Sequence, residues 1–248
     1  NETVKIHTRS GKVYTGTVQS THASVHVWGR TTDEKRSDES LEIVVDEETW
    51  SKADTEALGI RPGDYISLDP RTVVTESGFI KSRHLDDKAS SAVLLTLARE
   101  VAEGRVVLPR RTYIVFTVYE EVGHGAAPLS KLDLEDMLAV DMGCVGEGLS
   151  CTEKQVSICA KDSGGPYHEA VVNGLVAAAQ AAGVDFAVDI YPYYGSDVEG
   201  TLRAGHDVRH GLVGAGVYAS HGYERSHLAG AENTLRLLEA YLEQSTYE

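Results

Sequence analysis

Four separated stretches of the chain place carboxylates or a histidine where an α/β protein gathers its chemistry. Asp86-Asp87 stands at a helix entrance just after Phe79–Ser82. Glu120-Glu121 directly follows the β-branched run ending at Tyr119. Asp141 closes an apolar stretch that starts near Leu138, and His221 follows the run ending near Ala219. Ligand sites in open α/β sheets lie beyond the carboxyl ends of the strands, so these positions are expected to converge. Bare carboxylates in a crevice repel one another and are costly to desolvate. A divalent cation resolves both problems. Asp, Glu and His together suit zinc or a neighbouring first-row metal such as cobalt or manganese.

Each part also has a plain reading. An Asp-Asp pair before a helix serves as an N-cap. Glu120-Glu121 can be a solvated turn, and His221 and His227 can be satisfied surface or core histidines. Asp141 is harder to set aside, because an Asp inside an apolar run needs a partner. His124 is held between Gly123 and Gly125, facing the crevice or simply shaping a loop.

The elements that must position these residues have two textures. Residues 1–71 read as short strands: Val4–Thr8, Val13–Gln19, Ser24–Trp28, Leu41–Val45 and Tyr65–Leu68, rich in Val, Ile, Thr and Tyr. Five short strands with turn signals at Ser10-Gly11-Lys12 and Arg61-Pro62-Gly63-Asp64 predict a small antiparallel barrel or sandwich. Residues 72–248 alternate instead. Helices are predicted over Asp86–Glu103, Tyr167–Ala182 and Ala231–Leu242, and strands over Arg111–Tyr119, Met137–Met142, Phe186–Ile190 and Gly211–Ala219. That alternation implies an α/β sheet with helices on both faces.

Composition narrows the functional classes. The 248 residues carry a net charge of −15 and no basic stripe, which argues against a nucleic-acid binder. No run of about 20 apolar residues exists, so no membrane-spanning helix is expected. Cys144, Cys151 and Cys159 form no Cys-x-x-Cys pair and read as reduced thiols in a cytoplasmic protein. No signal peptide is read. The chain opens at Asn1 without an initiator Met and runs straight into a strand-like segment, so upstream sequence is expected to be missing.

The combination of motifs is more specific than its parts. His84-Leu85-Asp86-Asp87-Lys88-Ala89 resembles the Asp-Asp/Asn-Arg/Lys signature of the tetrahedral, or glutamyl, aminopeptidases, which are co-catalytic metallopeptidases. Glu120-Glu121-Val122-Gly123 resembles their Glu-Glu-Val-Gly motif, and Ala139-Val140-Asp141 their apolar-apolar-Asp. Gly195-Ser196-Asp197 is similar to their Gly-Thr-Asp, and His221 lies where the last ligand histidine should fall. The tail around Ser220-His221-Gly222-Tyr223 looks more like a bacterial branch found with osmoprotectant dipeptide synthesis genes.

The resemblance implies a zinc-exopeptidase-like fold, with a mixed central sheet, helices on both faces and a small β-barrel domain. Residues 1–71 would be the barrel, inserted into the catalytic domain and used for oligomerisation, and residues 72–248 the catalytic domain. Asp86 would bridge two metals, Glu121 and His221 would complete one of them, and Asp141 would serve the other. Glu120 would be the general base and Asp87 a support for the ligands. Because neighbouring strand residues point oppositely, a tight turn must bring Glu120 and Glu121 to one site.

The implied reaction is removal of N-terminal residues from peptides by a homo-oligomer with two divalent metals, zinc foremost, per full-length chain. A deacylase of acyl-amino acids on the same scaffold and a non-catalytic peptide-binding relative are the alternatives. A further ligand, the His of a His-x-Asp motif, lies upstream of the barrel in that family. His7, His22 and His26 lack that context. The chain as given is therefore expected to keep at most one well-formed metal site and little peptidase activity.

Overall fold

The computed structural model describes residues 2–244. The chain divides into two compact units, Asn1–Pro70 and Arg71–Glu248. In the first unit, β1 (Thr3–His7), β2 (Val13–Ser20), β3 (Leu41–Val45) and β4 (Tyr65–Leu68) form an antiparallel sheet in the order β3-β2-β1-β4. Val4 and Ile6 alternate with exposed neighbours on β1 and are buried, the pattern of a sheet with one covered face. A short helix, α1 (Lys52–Ala57), starts at Ser51, whose hydroxyl accepts from the Asp54 N–H.

The expected barrel is not there: among the described residues the sheet does not close. The fifth expected strand, Ser24–Trp28, has the right composition but folds as turns. Its amides are spent locally, with the Val27 and Trp28 N–H groups both donating to Ser24 O. A segment that satisfies its own donors has none to offer a neighbouring strand.

The second unit holds an eight-stranded mixed sheet. Its members are β5 (Val73–Val74), β6 (Phe79–Ser82), β7 (Asp136–Val140), β8 (Gly143–Val145), β9 (Val156–Lys161), β10 (Phe186–Ile190), β11 (Arg209–Tyr218) and β12 (Glu224–His227). The order runs β10-β9-β11-β12-β6-β5, with β7 and β8 also paired to β11. β10 on β9 and both β7 and β8 on β11 are parallel pairs, and the remaining pairs are antiparallel.

Helices α2 (Leu85–Ala102), α3 (Glu169–Ala181) and α5 (Leu228–Leu242) cover one face, meeting Ile158 and Val213. Helix α4 (Asp197–Arg203) covers the other, where Val198 packs with Cys159 and Leu212. Neighbouring residues 158/159 and 212/213 thus serve opposite cores, as strand geometry requires. No helix among the described residues is long and apolar enough to cross a membrane.

Arg111–Tyr119 forms no strand. Its β-branched alternation marks it as strand material, yet no described segment pairs with it, and Phe116, Val118 and Tyr119 are exposed. A strand is stabilised by its cross-strand pairs, so alternation without a partner leaves an irregular segment.

Candidate metal centre

Helix α2 does not begin regularly. His84 has φ 64°, and Asp86 and Asp87 keep non-helical backbone angles. The peptide bond between the two aspartates is cis. Glu120–Val122 is a single 3-10 turn closed by Gly123 at φ 82°, a left-handed position that glycine adopts without penalty. This is the tight turn expected to bring the two adjacent carboxylates to one site. The third approach is the turn between β11 and β12, where Ala219 has φ 59° and His221 φ 62°. Non-glycine residues held at positive φ are costly and tend to collect at functional sites. Three of the four such residues among the described residues flank this one place.

These segments converge. His221 Nε2 lies 3.2 Å from Asp86 Oδ2 and 3.5 Å from Glu121 Oε2. Asp86, Glu121 and His221 offer donor atoms within 4.8 Å of one another, and so do Asp86, Asp87 and Asp141. Asp86 belongs to both groups.

Asp141 follows β7 directly and is fixed on every side. Its N–H donates to Val213 O at 2.9 Å, its Oδ1 accepts from the Met142 N–H at 2.6 Å, and its carbonyl accepts from Ser90 Oγ at 2.7 Å. A Cβ on Gly214 would sit 1.6 Å from the Asp141 carbonyl oxygen, so only glycine allows β11 this close.

The electrostatics are those of crowded, dry carboxylates. Burial, then the charges of Asp141 and Glu121, raise Asp86. Burial and the Asp141 charge push Asp87 well above the carboxylate range. Asp141 is raised by its own burial. Glu120 rises to about 7 through burial, then the charges of Asp197, Glu121 and Asp86. Asp87 Oδ1 is buried without a hydrogen-bond partner. Oxygen and imidazole donors converging around an orphaned buried oxygen fit a divalent cation.

Glu120 stands beside these donor groups and belongs to neither. His124 stacks on Tyr119 with ring centroids 5.2 Å apart and joins no donor group. His227 is structural: Nδ1 accepts from the Ala229 N–H at 2.9 Å to cap α5, and Nε2 lies 2.9 Å from Ser77 O. The cysteines are free, and burial pushes each thiol up to about 12, which leaves them protonated and inert.

Sequence reasoning missed Glu224, whose carboxylate is buried against the same turn. It also gave no role to Asp197, which accepts from the Ala126 N–H at 2.8 Å and from Thr117 Oγ1, holding the loop that carries Glu120. A cavity of about 980 Å³ is lined by Asp86, Asp87 and Glu121 together with the apolar Ile114, Phe116 and Leu138.

The sequence profile of the M42 glutamyl aminopeptidases matches residues 1–237. The chain belongs to the M42 glutamyl aminopeptidase family. It is 45% identical over 242 residues to YhfE of Bacillus subtilis (strain 168), whose name describes it as an aminopeptidase. That match covers 98% of this chain and 70% of YhfE. The fold is shared with aminopeptidase APDkam598 of the archaeon Desulfurococcus kamchatkensis, at TM-score 0.84 and 24% identity over 99% of this chain and 69% of that one. It is also shared with the TET1 peptidase of Pyrococcus horikoshii, at TM-score 0.80 and 20% identity over 98% and 72%. This M42 chain is therefore an aminopeptidase-family hydrolase, as its motifs had implied.

Proposed function

We propose that this M42 aminopeptidase removes N-terminal residues from peptides using divalent metal held by Asp86, Glu121 and His221, with Asp86 shared toward Asp87 and Asp141. The supporting observation is the pair of donor groups that meet at one carboxylate beside an unpartnered Asp87 oxygen. Two divalent cations would supply Lewis acidity for the scissile carbonyl and a lowered pKa for the attacking water. Zinc suits the group that contains His221. The second group is all carboxylate and should hold its cation more weakly.

Glu120 is assigned as the base. It sits next to a proposed ligand, is half-buried, and is not itself part of a donor group. Its carboxylate takes the proton of the attacking water and returns it to the leaving amine. Asp197 fixes the loop through Thr117 and Ala126 and so aims that carboxylate. Asp87 supports the shared Asp86. The TET1 peptidase is described as assembling into a tetrahedron or a large octahedral shell. We extend homo-oligomerisation to this chain, with residues 1–71 at an interface.

Glu120→Gln tests the assignment in the intact, zinc-loaded protein. Turnover of an aminoacyl p-nitroanilide should fall about 10²–10⁴-fold while bound zinc is unchanged. Full activity in the Gln variant would remove Glu120 as the base.

A further inference from the structure

We propose that Glu224 is a positioning residue that holds two proposed ligands by their backbones. The inference rests on the reading of Asp86 and His221 as metal ligands. Glu224 opens β12 and is 1% exposed. Its Oε2 accepts from the Asp86 N–H at 3.0 Å, and its Oε1 accepts from the His221 N–H at 2.9 Å. One carboxylate thus spans two residues that lie far apart in sequence and whose side chains meet at 3.2 Å.

Both bonds are charge-assisted, and so stronger than neutral ones. Both arrive where the backbone departs from the ordinary: at the non-helical start of α2 and at the positive φ of His221. Side chains project from a backbone that is pinned, so the donor atoms of Asp86 and His221 stay at a fixed separation before any cation arrives. Partners that orient ligands in this way commonly govern metal affinity 10–100-fold. The position also adds a negative charge beside Asp86. A fold that needed only a turn closure there could use a neutral acceptor. Placing a further carboxylate beside a crowded acidic cluster is reasonable where a cation will offset it.

The test is calorimetric titration of the metal-free protein with cobalt(II), together with the cobalt absorption spectrum. Three forms are compared: wild type, Glu224→Gln and Asp86→Asn. The Gln side chain keeps the shape but has one acceptor oxygen, so one amide must lose its bond. Glu224→Gln should bind cobalt about 10–100-fold more weakly, with an altered spectrum and a metal-free melting temperature lowered only by the one lost buried bond. Wild-type affinity and spectrum in Glu224→Gln, with binding lost in Asp86→Asn, would overturn the clamp and keep the ligand reading. Undiminished binding in Asp86→Asn would overturn the ligand reading and the clamp with it. If Glu224→Gln does not fold, amide hydrogen exchange on the metal-free wild type decides. The Asp86 and His221 amides should be protected before metal is added, and fast exchange at both would overturn the proposal.

Discussion

Removing metal from this protein should make its stability depend on pH in an unusual direction. Asp86, Asp87, Glu120 and Asp141 all have folded-state pKa values raised above their ordinary ones. A carboxyl raised on folding binds its proton more tightly in the folded chain. Its favourable contribution is complete below about pH 4 and is lost as pH rises through the folded value. For Glu120 the window runs from its ordinary 4.5 to about 7. That difference corresponds to about 3 kcal/mol at ~1.4 kcal/mol per pH unit. Glu120 is half exposed, and solvent screening reduces the figure to roughly 1–2 kcal/mol. Asp86, Asp87 and Asp141 act in the same direction. At ~2–4 °C per kcal/mol for a chain of this size, the Glu120 contribution alone should make the metal-free protein melt ~2–8 °C higher at pH 5 than at pH 8.

Scanning calorimetry in EDTA at the two pH values reads this directly. The net charge of −15 also relaxes on acidification, so Asp87→Asn serves as the control. Losing one crowded carboxylate should raise the melting temperature at pH 8 and flatten the slope. Zinc added at pH 8 should restore stability by mass action, about 2.7 kcal/mol at a hundredfold excess over its dissociation constant. A metal-free protein that melts at the same or a higher temperature at pH 8 than at pH 5 would refute the reasoning.

Gly214→Ala should destabilise the protein by about 3 kcal/mol or more, because the new methyl meets the Asp141 carbonyl at 1.6 Å and a backbone atom cannot move aside. Denaturant melts would show it, and a loss under ~0.5 kcal/mol would mean that β7 and β11 are not packed this closely. Sedimentation at micromolar concentration should show a species larger than the 26.8 kDa chain, and a monomer alone would remove the proposed interface.

The sequence located the proposed site because each of its residues ends a segment with a readable period. Asp141 closes an apolar strand, Asp86 opens a long helix, and His221 follows the longest strand of the sheet. Direction along the chain was therefore enough to bring them to one crevice. Glu224 offered no such handle. It lies in the four-residue polar strand Glu224-Arg225-Ser226-His227, whose pairing with β6 is decided by tertiary context. Helix α4 was missed for a related reason: seven residues with an internal glycine have little helical signal of their own. The errors at Ser24–Trp28 and Arg111–Tyr119 have the opposite origin. Their β-branched residues report what a strand would accept, and only a partner makes a strand. The same limit defeated the barrel, since closure depends on two edges meeting, which residue types do not encode.

The Glu224 bond to Asp86 joins residues 138 positions apart. Closing so long a loop is entropically expensive, and it repays the chain only once the intervening strands and helices are in place. The acidic centre is therefore expected to assemble late in folding, after most of the route has been travelled. Interactions absent from the transition state leave the folding rate alone and slow unfolding instead. A bound cation would act as a latch of that kind, lengthening the lifetime of the native state without hastening its arrival.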